Sequence, residues 1–194
     1  MKIVFGGAFN PVTNAHIDVY QFLIEKLSAD EFIFLPVSNA YTKSELASNY
    51  HRVNMLKIAT KRFNDISISK LEIDDINYLG TYQSLIRLCD CHNCDISFVI
   101  GADNLVNMQD WINIEGILSE FTIIVLGRNG IDISAAINSD SILKKYLSSF
   151  IIFKDFNINI SSTSFRETFD QSQVNKEVYQ YIIDHNLYRG DKNV

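Results

Sequence analysis

Short runs of apolar, β-branched and aromatic residues recur along the chain, and amphipathic stretches with helical spacing separate them. We expect each run to form a buried β-strand: Lys2–Phe5, Glu31–Pro36, Ile66–Ile68, Ile96–Ile100, Phe121–Leu126 and Phe150–Phe153. Helical spacing is present over residues 17–27, 55–59 and 85–88. Buried strands joined by helices are typical of a parallel sheet covered on both sides, so the pattern predicts a doubly wound α/β fold.

In a doubly wound fold, ligands bind beyond the carboxyl ends of the strands, so the turns after the predicted strands are candidate sites. These turns are rich in glycine and asparagine: Gly6–Pro11, Pro36–Asn39, Gly101–Asn104 and Gly127–Gly130. Glycine lets the backbone approach a ligand, and free N–H groups at the next helix start bind phosphate. Alternatively, turns of α/β proteins collect glycine and asparagine without any ligand.

The composition is that of a folded protein. Hydrophobic residues make up 47% of the 194 residues and charged residues 21%, which excludes intrinsic disorder. The formal net charge of -6 argues against binding to a nucleic-acid backbone or an anionic membrane, because both attract basic surfaces. No apolar run reaches the roughly 20 residues of a membrane-spanning helix. We therefore expect one domain over residues 1–194, located in the cytoplasm, with no nucleic-acid or membrane partner.

All three cysteines lie in one short segment that also holds a histidine: Cys89, Cys91, His92 and Cys94. Their odd number and close spacing suit no disulfide framework, which favours a reducing compartment. Thiolates and an imidazole are a donor set for Zn²⁺, although zinc sites normally combine two separated pairs of ligands. The alternative interpretation is a helix end that carries exposed thiols.

The first glycine turn contains a candidate phosphate site. Residues 6–16 read GGAFNPVTNAH, which matches neither the dinucleotide fingerprint GxGxxG nor the phosphate loop GxxxxGK. A helix that begins near Thr13 or Asn14 would place His16 in its first turn, where the ring and free N–H groups can bind an anion. Alternatively, Thr13 is an ordinary N-cap and His16 a surface histidine.

A second candidate phosphate site follows the last predicted strand, where residues 160–167 read ISSTSFRE. Ser162 or Thr163 is a suitable N-cap, and Arg166 lies about one turn later. Backbone N–H groups, hydroxyls and a guanidinium together suit phosphate oxygens. Alternatively, this is an ordinary helix start in which Ser162 caps the helix and Glu167 lies in the first turn.

Together these segments resemble the HxGH nucleotidyltransferase superfamily and, within it, the nicotinate or nicotinamide mononucleotide adenylyltransferases. Thr13–His16 stands at the HxGH position, Ile100–Leu105 is similar to the GADNL segment, and Ile160–Arg166 matches the ISSTxxR signature. Tyr78–Leu85 is a degraded form of the SYTxxTL segment. The resemblance covers nearly the whole chain.

The first segment departs from the common bacterial pattern at three positions. Thr13 replaces histidine, Ala15 replaces glycine and Asn10 replaces aspartate, which is closer to the FNPxTNxH form of eukaryotic members. Among these motif positions, His16 is then the one imidazole that can bind the phosphate.

The resemblance implies a Rossmann-like fold and a reaction in which the 5′-phosphate of a pyridine mononucleotide attacks the α-phosphorus of ATP and releases pyrophosphate. His16, Thr13 and Arg166 are expected to be catalytic. ATP is expected to bind Gly7, Ala8, Phe9, Asn10, His16, Gly101, Asp103, Ser162, Thr163 and Arg166. The mononucleotide is expected to bind Lys43, Tyr78, Thr81, Trp111 and Arg128. Mg²⁺ is expected to enter with ATP and to be held mainly by the phosphates, without protein metal ligands.

Three of these residues have competing interpretations or a selective role. Asp103 either accepts a hydrogen bond from a ribose hydroxyl or caps the helix that follows. Trp111 either stacks on the pyridinium ring or packs in the core. Arg128 is the candidate partner for the carboxylate of nicotinate, a charge that nicotinamide lacks.

Two other functions stay open at this point. The first is transfer of a nucleotidyl group to another phosphorylated acceptor, such as phosphopantetheine. The second is a nucleotide-binding sensor without turnover. A sensor predicts ATP binding without pyrophosphate release. The sequence is compatible with a homo-oligomer, and it does not decide between nicotinate and nicotinamide.

Overall fold

A computed structural model of the protein describes residues 1–41, 46–75, 77–92, 95–128, 130–156 and 161–189. Its centre is a sheet of β1 (Lys2–Gly7), β2 (Glu31–Pro36), β3 (Ile66–Ile68), β4 (Ile96–Gly101), β5 (Thr122–Leu126) and β6 (Phe150–Phe153). All pairings are parallel, in the order β3-β2-β1-β4-β5-β6. This is the strand order of the Rossmann fold, so the predicted doubly wound α/β architecture is confirmed.

Helices cover both faces of the sheet. They are α1 (Asn14–Leu27), α2 (Asn49–Thr60), α3 (Thr81–His92), α4 (Ala102–Leu105), α5 (Ile114–Glu120), α6 (Ile133–Ser139), α7 (Ser141–Lys145), α8 (Ser162–Thr168) and α9 (Lys176–Asp184). Helix α1 begins at Asn14 with Thr13 as its N-cap, as predicted. Among the described residues, no helix combines the length and the apolar character needed to cross a membrane.

Alternating side chains along the strands divide the core into two apolar layers. Ile3 packs in one layer, with side chains of α1, α2, α8 and α9, and Val4 packs in the other, with side chains of α3, α5 and α6. This period of two is that of a strand buried on both faces. The sheet is therefore fixed between two helical layers, and its carboxyl edge is left for a site.

The expectation that every strand is buried is wrong at the two edges of the sheet. The residues of β3 are half-buried, and Ile152 in β6 is 36% exposed. Each edge strand has a single neighbouring strand, so its side chains are less covered than those of the central strands. The fifth strand begins at Thr122, one residue later than predicted, because Phe121 is the C-cap of α5.

The direction in which the sheet grows reverses around β1. This strand pairs with β2 on one side and with β4 on the other. In open α/β sheets, the crevice at such a reversal is the usual ligand site. The turn after β1 and the turn after β4 should therefore face one another across a cavity.

Candidate active site

A cavity of about 420 Å³ lies at the carboxyl ends of β1, β4 and β5. All four predicted turns and both signature segments contribute to its lining. Its lining includes Gly7, Ala8, Phe9, His16, Val37, Glu72, Tyr78, Thr81, Gly101, Trp111, Arg128, Ser162 and Thr163. The sheet thus brings together segments from the beginning, middle and end of the sequence.

His16 is bound to the residue that caps its own helix. The backbone N–H of Thr13 donates to Nδ1 of His16 over 2.9 Å, and Thr13 Oγ1 lies 2.8 Å from the same nitrogen. Because Nδ1 accepts, this hydrogen bond assigns the proton of the neutral ring to Nε2. Thr13 is 1% exposed and acts as the N-cap, so its capping interpretation is confirmed, whereas that of His16 as a surface histidine is wrong.

The His16 ring is neutral at physiological pH. Burial, followed by the positive charge of Arg128, lowers the pKa of His16 to about 4. The rings of Phe5 and Phe9 pack against it, with centroid distances of 5.9 and 5.2 Å. His16 therefore presents an N–H donor rather than a full positive charge to the cavity.

The carbonyl groups of the turn after β1 are occupied by donors from other segments. Gly7 accepts from the Val37 N–H at 3.0 Å, Ala8 from Arg52 at 2.6 Å, Asn10 from Arg166 at 2.6 Å and Pro11 from the Ser162 hydroxyl at 2.7 Å. Within the described residues, no acceptor is bonded to the backbone N–H of Ala8, Phe9 or Asn10. Consecutive free N–H groups of this kind form an anion-binding concavity.

Packing fixes the shape of this turn. Phe9 has φ of 46°, in the left-handed region that a bulky residue seldom adopts. Its ring is 2% exposed and meets Phe5 and Phe34 edge to face, at 5.6 and 5.2 Å. A strained backbone conformation persists where its surroundings determine it in this way, and such strain is concentrated at functional sites.

Asn10 lies behind the cavity rather than in its lining. Its Oδ1 accepts from the Ala47 N–H at 3.0 Å and from the Tyr188 hydroxyl at 2.9 Å. Its Nδ2 is buried and has no hydrogen-bond partner within the described part of the chain. Asn10 therefore shapes the turn through its side chain, and its contact with ATP stays a prediction, for which the backbone N–H is the free group.

The second signature segment starts α8. The N-cap is Ser161, whose hydroxyl accepts from the Ser164 N–H at 3.0 Å, so the prediction of Ser162 or Thr163 as the cap is wrong by one or two residues. Three consecutive hydroxyl residues fit the cap equally well by sequence. With Ser161 as cap, Ser162 and Thr163 lie in the first turn and line the cavity.

Asp103 and Arg128 form an ion pair beside the cavity, with Oδ2 and Nη1 3.4 Å apart. The N-cap of α4 is Gly101, so the interpretation of Asp103 as a cap is wrong. Asp103 Oδ1 is buried and has no hydrogen-bond partner among the described residues. Arg128 lines the cavity close enough to His16 for its charge to lower the pKa of that ring.

The residues expected to bind the mononucleotide are only partly described. Tyr78 and Thr81 line the cavity, with their hydroxyl oxygens 3.2 Å apart. Trp111 lines it too and packs edge to face on Phe98 at 6.3 Å, so core packing of Trp111 is confirmed while stacking on a pyridine ring stays a prediction. Lys43 lies outside the described residues.

Glu72 is a cavity residue that the sequence motifs did not indicate. Its side chain is 4% exposed, and burial raises the pKa of the carboxyl group, opposed by a hydrogen bond with Ser84. The one sequence signal is its position between the third strand and the Tyr78–Leu85 segment. A buried carboxyl group in a cavity is a candidate functional group because it can be neutral or charged there.

The described part of the cysteine segment does not form a metal site. Among the described residues, no three His, Cys, Asp or Glu side chains are placed to hold a metal ion. Cys91, His92 and Cys94 have side chains outside the described set. Cys89 is buried and disulfide-bonded, so the interpretation of exposed thiols and the expectation that the cysteines form no disulfide are both wrong at this residue. Cys89 shares the buried face of α3 with Leu85 and Leu88.

Sequence comparison finds relatives along the whole chain. Residues 4–168 match the cytidylyltransferase-like family. A probable nicotinate-nucleotide adenylyltransferase of Clostridium acetobutylicum is 34% identical, over 96% of this chain and 98% of its own. A protein of the same name from Acholeplasma laidlawii is 29% identical, over 99% of this chain and 100% of its own.

Structure comparison gives the same fold. Plasmodium falciparum nicotinic acid mononucleotide adenylyltransferase complexed with NaAD superposes with a TM-score of 0.74, at 22% identity and over 96% of each chain. The full-length sequence matches and the shared architecture agree with the two signature segments that meet at the cavity. The chain belongs to the cytidylyltransferase-like family and, within it, to the nicotinate-nucleotide adenylyltransferases.

Proposed function

We propose that this protein transfers the adenylyl group of ATP to the phosphate of nicotinate or nicotinamide mononucleotide, in the formation of NAD. The observation that carries the proposal is the meeting of a turn with free backbone N–H groups, the His16 ring and the α8 hydroxyls in one cavity. The relatives named nicotinate-nucleotide adenylyltransferase support the choice of acceptor.

The reaction is a single displacement at phosphorus. A phosphate oxygen of the mononucleotide forms a bond with the α-phosphorus of ATP, the bond from that phosphorus to the α,β-bridging oxygen breaks, and pyrophosphate leaves with the electron pair. Such transfers require in-line positioning and stabilisation of charge on the oxygens, and no protein nucleophile.

ATP phosphates would bind between the two signature segments. The N–H groups of Ala8 and Phe9 and the Nε2–H of His16 would bind oxygens of the α- and β-phosphates, while Ser162 and Thr163 would bind the leaving pyrophosphate. Arg166 touches both segments and adds positive charge behind them. Gly101 leaves room for the Asp103 side chain, and the free Oδ1 of Asp103 would accept from a ribose hydroxyl.

The mononucleotide would occupy the side of the cavity that Tyr78, Thr81 and Trp111 line. A pyridinium ring gains from stacking on the indole face of Trp111. Arg128 is the candidate partner for a nicotinate carboxylate, which would then compete with Asp103 for the guanidinium. Four expectations stay predictions: contact between Lys43 and the mononucleotide phosphate, location in the cytoplasm, a homo-oligomer and the one-domain organisation.

Mg²⁺ would arrive as part of the ATP complex. Apart from the Glu72 carboxyl group, the polar groups that line the cavity are mainly hydroxyls, N–H groups and an arginine, which bind phosphate oxygens, so the phosphates would supply most of the ligands of the ion. When bound with ATP, the ion would supply positive charge that offsets the charge on the leaving pyrophosphate. The residues of this chain would bind the phosphates and orient them.

The test is pyrophosphate release from ATP and Mg²⁺ with nicotinate mononucleotide, nicotinamide mononucleotide or phosphopantetheine in separate reactions. We expect release with a pyridine mononucleotide. Release with phosphopantetheine alone would establish another acceptor, and ATP binding without release in any reaction would establish a sensor.

A variant of His16 tests whether the reaction occurs in this cavity. His16→Ala should retain its fold and lose about 100-fold or more in kcat, the usual cost of one donor to a developing oxyanion. The matched control is His185→Ala, because His185 is exposed near the end of α9 and outside the cavity. Equal rates in the two variants would refute the proposed site.

A further inference from the structure

Arg52 is a completely buried arginine in the first turn of α2. Its side chain is 0% exposed, and its guanidinium contacts three segments of the chain. Nη1 donates to Ala8 O at 2.6 Å; Nη2 donates to Val37 O at 2.5 Å, Asn39 Oδ1 at 2.8 Å and Asn49 Oδ1 at 2.6 Å; Nε donates to Ala47 O at 3.1 Å.

The acceptors around Arg52 are carbonyl and amide oxygens, all of them neutral. Among the residues that the structure describes, no carboxylate forms an ion pair with it. Burial lowers the pKa of Arg52, but a guanidinium stays protonated in proteins. A full positive charge is therefore buried without a counter-ion, an arrangement that costs stability.

The position of this charge connects it with the cavity. Ala8 and Val37, whose carbonyls bind the guanidinium, both line the cavity at the carboxyl ends of β1 and β2. Arg52 therefore lies one residue layer behind the turn whose N–H groups are free. The buried guanidinium is bonded directly to the Ala8 and Val37 carbonyls, so an anion in the cavity would feel the charge with little screening.

We propose that Arg52 is a positioning residue that holds the Ala8 carbonyl and whose uncompensated charge draws the nucleotide phosphates to the turn after β1. The inference rests on the proposed binding of ATP in this cavity. It predicts that the contribution of Arg52 increases with the number of phosphates on the ligand, since the attraction between charges scales with their product.

Asn49 offers a way to cancel this charge without removing the arginine. Its Oδ1 accepts from Arg52 and, at 3.0 Å, from the Asn39 N–H. Asn49→Asp keeps the shape and both accepted hydrogen bonds and adds a carboxylate beside the guanidinium. Asn49 is also the first residue of α2, and an acidic side chain is favourable at the start of a helix, so the variant should fold.

The experiment is calorimetric titration of adenosine, AMP, ADP and ATP into the wild type, Asn49→Asp and Lys57→Gln. Lys57 is exposed on the same helix, and Lys57→Gln changes the net charge by the same amount. We expect Asn49→Asp to bind ATP about tenfold more weakly, ADP and AMP with progressively smaller losses, and adenosine unchanged. Lys57→Gln should match the wild type throughout.

Four results would overturn the inference. An equal loss for all four ligands would make Arg52 purely structural, and unchanged ATP affinity would remove its charge from binding. A carboxylate beside an uncompensated guanidinium should be tolerated, so an Asn49→Asp protein that does not fold would contradict the premise that the charge of Arg52 is uncompensated. A wild type that binds none of the four ligands would refute the proposed function as well, whereas a wild type that turns over normally confines the failure to Arg52.

Discussion

Arg166 Nη1 donates a hydrogen bond to the backbone carbonyl of Asn10 over 2.6 Å, across 156 positions of sequence. Nη2 of the same guanidinium donates to Thr163 Oγ1 at 3.1 Å. One side chain therefore ties the turn after β1 to the first turn of α8. The two segments proposed to bind the phosphates are connected through a planar, charged group.

Arg166→Lys should lower the activity of the protein although it conserves the positive charge. A lysine ammonium lacks the planar fork needed to reach Asn10 O and Thr163 Oγ1 together, although it keeps the charge. We expect Arg166→Ala to lower kcat about 100-fold and Arg166→Lys to fall between it and the wild type, as measured by pyrophosphate release. The control is Arg62→Ala, an exposed arginine that stacks on Phe63 away from the cavity. Full activity in Arg166→Lys would show that charge alone suffices.

The titration of His16 should depend on Arg128. Burial and the Arg128 charge lower the pKa of His16 to about 4, so its ring resonances should stay at the neutral position from pH 8 to about pH 5. Arg128→Gln removes the repulsion, and the midpoint should move to higher pH. Proton NMR of the imidazole ring measures both, with His16→Gln assigning the signal. A wild-type midpoint near 6.5 would contradict the buried, neutral ring.

Glu72 should make the protein less stable as the pH rises. Burial raises the pKa of this carboxyl group in the folded state, so above about pH 4.5 the unfolded chain releases the proton first. The unfolded state then binds fewer protons than the folded state, and the free energy of unfolding falls with increasing pH until the folded-state pKa is passed. Glu72→Gln keeps an acceptor for Ser84 and cannot ionise. We expect it to be more stable than the wild type at pH 7.5, with the difference shrinking towards pH 4.

Urea denaturation at several pH values measures this effect. Glu25→Gln is the control, since Glu25 is exposed on α1 and its replacement should leave the pH profile of stability unchanged. Parallel profiles for wild type and Glu72→Gln would mean that the Glu72 carboxyl group keeps its ordinary pKa in the folded protein.

A side chain at Gly101 should disturb the Asp103–Arg128 pair. A Cβ at this position would overlap with Asp103 Oδ1 and touch Arg128 Cδ at 3.5 Å. Gly101→Ala should therefore cost about 1–2 kcal/mol of stability and weaken ATP binding. In the double variant with Asp103→Ala, the overlap is gone. The loss of stability in the double variant should therefore be smaller than the sum of the losses in the two single variants. Strict additivity in urea denaturation would show that the Asp103 carboxylate moves aside freely.

The strands were predictable because their apolar runs are short, β-branched and bounded by turn residues. All six occur where the pattern placed them, but β1 extends two residues and β4 one residue further than predicted, and β5 begins one residue later. Burial at the edges was not predictable, since the run of β6 reads like that of a central strand. The pattern of one strand does not indicate how many neighbours it has.

The site was predictable where a motif existed and not where single polar residues act. His16, Ser162 and Thr163 line the cavity as expected, but Glu72 belongs to no motif. Arg52 did carry a signal, because it precedes the buried residues Met55 and Leu56 by three and four positions and so lies on the apolar face of α2. The pairing of Asp103 with Arg128 needed the geometry of two adjacent strand ends.

The bond from the Tyr188 hydroxyl to Asn10 Oδ1 joins positions 178 apart, and it sets an order for biosynthesis. A ribosome makes the turn after β1 well before it makes Tyr188, because 178 positions separate the two ends of this bond. The central strands can pair while the chain is still growing, but the supports of the turn from α8 and Tyr188 arrive only afterwards. The turn after β1 therefore reaches its supported form only once α8 and Tyr188 have joined the fold.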